Sequence, residues 1–118
     1  MKKVVVGILA IVGLLSIMGV LVLLGRLFDA SWRGANDLFE IGAPSMLAMH
    51  DSMTGAPGLV ARRQAGAGFG GCLVAIVDRS ELDDFAAHVE DEYRLATGIE
   101  PSVYGVEASA GAGKLEFD

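Results

Sequence analysis

A chain of 118 residues has room for one small domain, and its composition divides even that into two unlike parts. Lys2 and Lys3 precede a run without charge; beyond it, seven basic residues face all fifteen acids, a net charge of −8. That acidic surface repels phosphate backbones, which argues against nucleic acid as a partner, and a single cysteine, Cys72, excludes an intramolecular disulfide.

The uncharged run covers residues 4–25, almost all Val, Leu, Ile, Gly, Ala and Met. As a helix it spans roughly 33 Å, enough for the ~30 Å hydrocarbon core of a bilayer. It exceeds the ~7–15 residues of a signal-peptide core, and no small-x-small cleavage site follows it directly. Buried helices of soluble proteins are rarely apolar all round for this length. These features predict a single-pass membrane anchor over residues 1–25, with the membrane as partner of residues 4–25, and a soluble domain over 26–118. Lys2 and Lys3 balance Arg26 and Arg33 across the run, so basic flanks assign no orientation.

In the soluble part, "RLFDASWRGANDLFEI" (26–41) carries Leu27, Trp32, Leu38, Phe39 and Ile41 among polar residues and reads as a helix weakened by Gly34. Pro44 suits the first turn of a second helix through "SMLAMHDSM". "TGAPG" is a turn and "LVARR" a short strand. "CLVAIVD" (72–78) has no polar residue before Asp78, which predicts a strand buried on both faces and an inert, buried Cys72 thiol. Ser80 and Asp83 form a capping-box-like start to a helix whose Leu82, Phe85, Ala86, Val89, Tyr93 and Ala96 share one face, closed by Gly98. The acids at 83–84 and 90–92 lie on its solvated face. "SVYGVEAS" (102–109) alternates like a last strand. The order α-α-β-loop-β-α-β predicts an α+β fold, a small sheet packed with helices on one face.

Between the first two strands lies "AGAGFGGC". Gly66, Gly68 and Gly71 fit the dinucleotide spacing Gly-x-Gly-x-x-Gly, but a strand follows where that fingerprint needs a helix, and no Gly-Lys-Ser/Thr makes a Walker loop. On residues alone the loop is either a tight turn or an anion-binding nest of backbone N–H groups. His50 and His88 have no metal-site spacing, and no metal ligand set or catalytic residue is assigned.

"RRQAGAGFGGCLVAIVD" (62–78) resembles the third motif of the galactokinases, in the wider GHMP kinase superfamily. Arg63, Gly66, Ala67, Gly68, Phe69, Gly70, Gly71 and Cys72 match it, while Ala61-Arg62 replaces its leading Gly-Ala. "GRLFDASWRGANDLFEIGAPSML" (25–47) is similar to the family's helix pair at Gly25, Leu27, Ser31, Asp37, Phe39, Glu40, Ile41 and Pro44. It departs at Trp32, Gly34, Ser45 and Leu47. "FAAHVEDEYRLATGIEPSVYGVEASAGA" (85–112) resembles the last helix and strand. The resemblance implies the C-terminal part of a GHMP-kinase C-terminal domain, ATP and Mg²⁺ as cofactors, and a sugar as substrate. It implies a nucleotide and substrate loop of Arg63, Gly66, Ala67, Gly68, Phe69, Gly70 and Gly71. The family's sugar-recognition motif, Gly-Leu-Gly-Ser-Ser-Ala loop and catalytic Asp and Arg are absent from these 118 residues. The expectation is therefore a sugar-kinase fragment inactive alone, needing a kinase N-terminal half as partner and placed on the cytosolic side where ATP is. The alternatives are a membrane-tethered, non-catalytic binding or assembly module and a truncated gene product.

Overall fold

The computed structural model describes the backbone of residues 2–113 and the side chains of residues 13–113. Among them the chain forms helix α1 (Lys2–Arg33), α2 (Pro44–Ser52), strands β1 (Leu59–Gln64) and β2 (Leu73–Val77), and α3 (Leu82–Thr97). The architecture is α+β, with three helices and one antiparallel two-stranded sheet.

The apolar run and the first amphipathic stretch form one helix, because no proline or cap interrupts them. α1 passes the position between residues 25 and 26 without a break and ends in a single π-helical turn, Gly34–Leu38, closed by Phe39 N–H donating to the Gly34 carbonyl at 3.3 Å. The separate helix expected over 26–41 is thus the end of α1. Leu21, Leu24, Gly25, Phe28, Ser31 and Trp32 are its less exposed positions, and their spacing of three and four marks one face. That face meets β1 closely: a Cβ on Gly25 would lie 3.0 Å from the Val60 carbonyl oxygen. Residues 13–20 are exposed on every side.

α2 begins at Pro44 as expected, with extended backbone at Ala43. Its His50 ring stacks on Trp32 at 4.0 Å between centroids and 2° between planes, which joins α2 to α1. α3 presents Phe85, Val89 and Tyr93 to the core and ends at Gly98 in the left-handed conformation (φ 71°). Its start differs from the expected Ser80 cap. Asp78 caps a 3-10 turn, Arg79–Glu81, by accepting from Ser80 N–H (2.8 Å) and Ser80 Oγ–H (2.6 Å), bonds that hold its carboxyl below the usual range. Ala96, placed on the inner face by spacing, is exposed because it lies beyond Tyr93, the last buried position of the helix.

The core is Met53, Ala56, Phe85 and Val89, with Met49, Leu59, Leu73, Ala75, Val77 and Val103 packed around it. Leu73, Ala75 and Val77 therefore face the helices, while Val74 and Ile76 on the other face are 46% and 37% exposed. The expectation of a strand buried on both faces is corrected: among the described residues β2 is covered on its Leu73, Ala75 and Val77 face. Cys72, just outside β2, is exposed rather than buried. A last strand over 102–109 is also absent among the described residues, where this segment carries no regular secondary structure. The radius of gyration, 18.3 Å, exceeds the ~13 Å of a compact chain this size because α1 projects beyond the hairpin.

Candidate functional site

The glycine loop joins the two strands of the hairpin. Its base is closed by Ala65 N–H donating to the Cys72 carbonyl at 2.9 Å, next to the Gln64–Leu73 pair. Between them the chain stays on the positive-φ side at Gly66 (82°), Gly68 (87°), Phe69 (60°), Gly70 (142°) and Gly71 (105°). Only glycine takes such a run at small cost, which is why four glycines stand in six positions.

Two amides fix the loop to the corner between α1 and α2. Phe69 N–H donates to the Ile41 carbonyl at 2.6 Å, and Gly70 N–H approaches the Met46 sulfur at 3.2 Å. Gly68 lies so close that a Cβ there would stand 2.7 Å from both Cβ and carbonyl oxygen of Ile41. The amides of Gly66, Ala67 and Gly68 have no acceptor among the described residues. Gly66, Ala67 and Gly71 are exposed, and Phe69 presents its ring to solvent at 74% exposure.

The remaining expected residue, Arg63, is half-buried on β1 and donates through Nε to the Gln64 carbonyl at 3.1 Å. It lies on the face opposite Arg62 and Gln64, so the strand alternation sends the two arginines apart. Arg62 reaches Thr54 Oγ1 at 3.0 Å. Behind β1, buried Arg62 Nε, Gln64 Oε1 and His50 Nε2 have no hydrogen-bond partner. Burial lowers the pKa of His50, the Arg62 charge lowers it further, and Asp51 and Asp29 oppose both.

The hairpin turn thus contains six of the expected residues, 66–71, with Arg63 outside it on β1, and it rests on Ile41 and Met46, which sequence reasoning did not assign to it. Their signal was slight: Ile41 follows Glu40, itself at φ 53°, in "EIGAP". Free amides suit a phosphate oxygen. A magnesium ion needs converging oxygen ligands, and among the described residues no group of three His, Cys, Asp or Glu is placed to hold a metal. The loop's open amides are donors of the kind an anion accepts from, and no ligand set for a metal accompanies them among the described residues.

No family model matches the chain. Curated proteins do. The chain is 34% identical over 91 residues to a galactokinase of Fusobacterium nucleatum, a match covering 77% of this chain and 23% of that protein. It is 35% identical over 92 residues to a galactokinase of Clostridium perfringens (78% and 23%) and 31% identical over 91 residues to one of Bacillus subtilis (77% and 23%). The chain therefore spans about a quarter of the length of these curated relatives. The glycine loop, the helix corner that holds it and α3 belong to a galactokinase-like C-terminal fragment.

Proposed function

We propose that this chain supplies one wall of a sugar-kinase site and transfers no phosphoryl group by itself. The observation that carries the reading is the pinned loop: Phe69 and Gly70 are tied to the α1–α2 corner, while the amides of Gly66, Ala67 and Gly68 stay open. A rigid turn with free donors suits the phosphates of ATP, since phosphoryl transfer rests on positioning and charge neutralisation. Arg63 adds a charge at the base of the loop. Bound there, ATP would supply the γ-phosphoryl group, its phosphates held by the amides of Gly66, Ala67 and Gly68. The metal ligands and the base that takes the sugar hydroxyl proton come, in this reading, from a kinase N-terminal half.

The test mixes the full chain, in mild detergent, with the upstream portion of the Fusobacterium nucleatum galactokinase that ends where its match to this chain begins. Galactose-dependent ADP release by the mixture and by neither part alone supports the reading. Arg63→Gln should lower kcat/KM for ATP about tenfold, the loss of roughly 1.4 kcal/mol from one charged hydrogen bond. Equal turnover by the upstream portion alone contradicts it.

A second observation favours tethering. α1 contains a stretch long and apolar enough to cross a membrane, and its most apolar window is unburied. In this proposal residues 1–25 are the anchor and 26–118 the kinase-derived domain. Because Gly25, the last residue of that anchor, already lies against Val60 of β1, the domain would sit directly on the membrane surface without a linker. Use of ATP further requires that the domain lie on the cytosolic side. Protease cleavage of the domain from outside intact cells contradicts that placement.

A further inference from the structure

A cavity of about 890 Å³ opens between β2 and the segment 99–108. Its floor includes Met49, Met53, Phe85, Val89 and Tyr93, side chains of α2, α3 and the turn after α2. One wall is the free edge of β2. Asp78 N–H donates to the Gly58 carbonyl, and Ala65 N–H donates to the Cys72 carbonyl, so residues 72 and 78 turn their polar backbone groups toward β1. The period of two then directs the N–H and C=O groups of Leu73, Ala75 and Val77 outward, over the cavity. The opposite wall is the segment expected to be a strand. Pro101 and Val103 are half-buried and Ser102 and Tyr104 exposed, an alternation that matches one strand of the same sheet. Val103 packs on the same core cluster as Leu73, Ala75 and Val77.

Three contacts anchor that wall on α3 and the turn before it. Arg94 donates to both Glu100 carboxylate oxygens at 2.6 and 2.9 Å, Arg79 pairs with Glu107 at 2.9 Å, and Gly105 allows the chain onto Leu82, where a Cβ would meet Cδ2 at 2.8 Å. Two strand-like segments thus share one core with a gap between them.

We propose that this gap is a slot for one added β-strand, filled by an extended, alternately apolar segment from the upstream portion of a galactokinase polypeptide. Strand addition is the recognition mode that satisfies a free edge and an apolar floor together. An apolar small molecule would fill the floor and leave the outward amides unpaired. The occupant follows from length: the curated relatives are about four times longer than this match, whereas the residues just upstream here are the helical, exposed part of α1. A second copy of this chain is disfavoured by the net charge of −8 on the domain. The proposal rests on the kinase-fragment reading and names the contact through which the two parts would join.

Backbone amide exchange tests it on the full chain in mild detergent, alone and co-expressed with the upstream portion of the Fusobacterium nucleatum galactokinase. Exchange at Leu73, Ala75 and Val77 should slow at least a hundredfold in the complex, while Val74 and Ile76, already turned toward β1, change little. Ala75→Pro removes an outward donor and spares the β1 ladder, so it should abolish co-purification, and Ala75→Ser should retain it. Failure to co-purify, co-purification without this protection, or protection that grows with the concentration of the chain alone overturns the slot. Protection without galactose-dependent ADP release overturns the kinase reading and leaves the slot standing.

Discussion

Gly66 and Gly68 share a left-handed backbone but not the same surroundings. An added Cβ at Gly66 meets nothing within 4 Å, whereas at Gly68 it meets the Ile41 backbone and side chain at 2.7 Å. Gly66→Ala should therefore cost only the backbone term, about 1–2 kcal/mol. Gly68→Ala should add roughly 1–3 kcal/mol of overpacking. Urea melts of the two variants against the parent chain measure the difference. Equal losses would show that the loop is not pressed on the α1–α2 corner. His50 offers a second test at this scale. Its folded pKa lies below its unfolded one, so the unfolded chain binds more protons in acid. Stability is full above the unfolded value near 6.5 and falls as pH drops through it toward the folded value. Thermal melts at pH 5 and 7.5 should show this loss, and His50→Gln should shrink it. The glycine positions were readable from sequence because a positive φ selects for glycine. The Trp32–His50 stack was not, since it joins two helices through contacts that leave no periodic trace.

Among the elements, α3 carries the core and α1 carries the projection. Phe85 is 4% exposed, so Phe85→Ala should cost about 3–5 kcal/mol in a denaturant melt. Leu95 is 82% exposed, and Leu95→Ala should stay within about 0.5 kcal/mol. On α1, Ile17 is 61% exposed amid an apolar stretch. Ile17→Arg should disfavour insertion by roughly 2.5–3.5 kcal/mol and shift the chain out of the membrane fraction on ultracentrifugation. An unchanged, soluble distribution of the parent chain would contradict the tether. Helices were legible here because their apolar spacing is local. β2 misled because an apolar run predicts two covered faces, yet coverage depends on which other elements exist to pack there. The segment 102–109 misled likewise: its sequence alternates, but a strand needs a hydrogen-bonded neighbour, and the segment pairs with none among the described residues.

At the scale of the whole molecule, two strands and a four-residue buried cluster make a small core. A lone hairpin is marginal in water, and domains this small gain stability from added surfaces. The open edge of β2, the exposed Val74 and Ile76 face and the free loop amides all lie on the hairpin, which is where the proposed partner would make its contacts. The loop named a lineage from sequence because its glycines and the corner helices occur together in order. What it does in catalysis lay beyond sequence, since the resemblance assigns no catalytic residue to these positions and a loop's glycines do not report what they bind. The central claim is that this chain is a kinase wall without independent turnover. A coupled assay of ADP release by the full chain alone, with MgATP and galactose, tests it most directly. The account predicts no galactose-dependent ADP above the background without protein; sustained galactose-dependent release by the chain alone would contradict it.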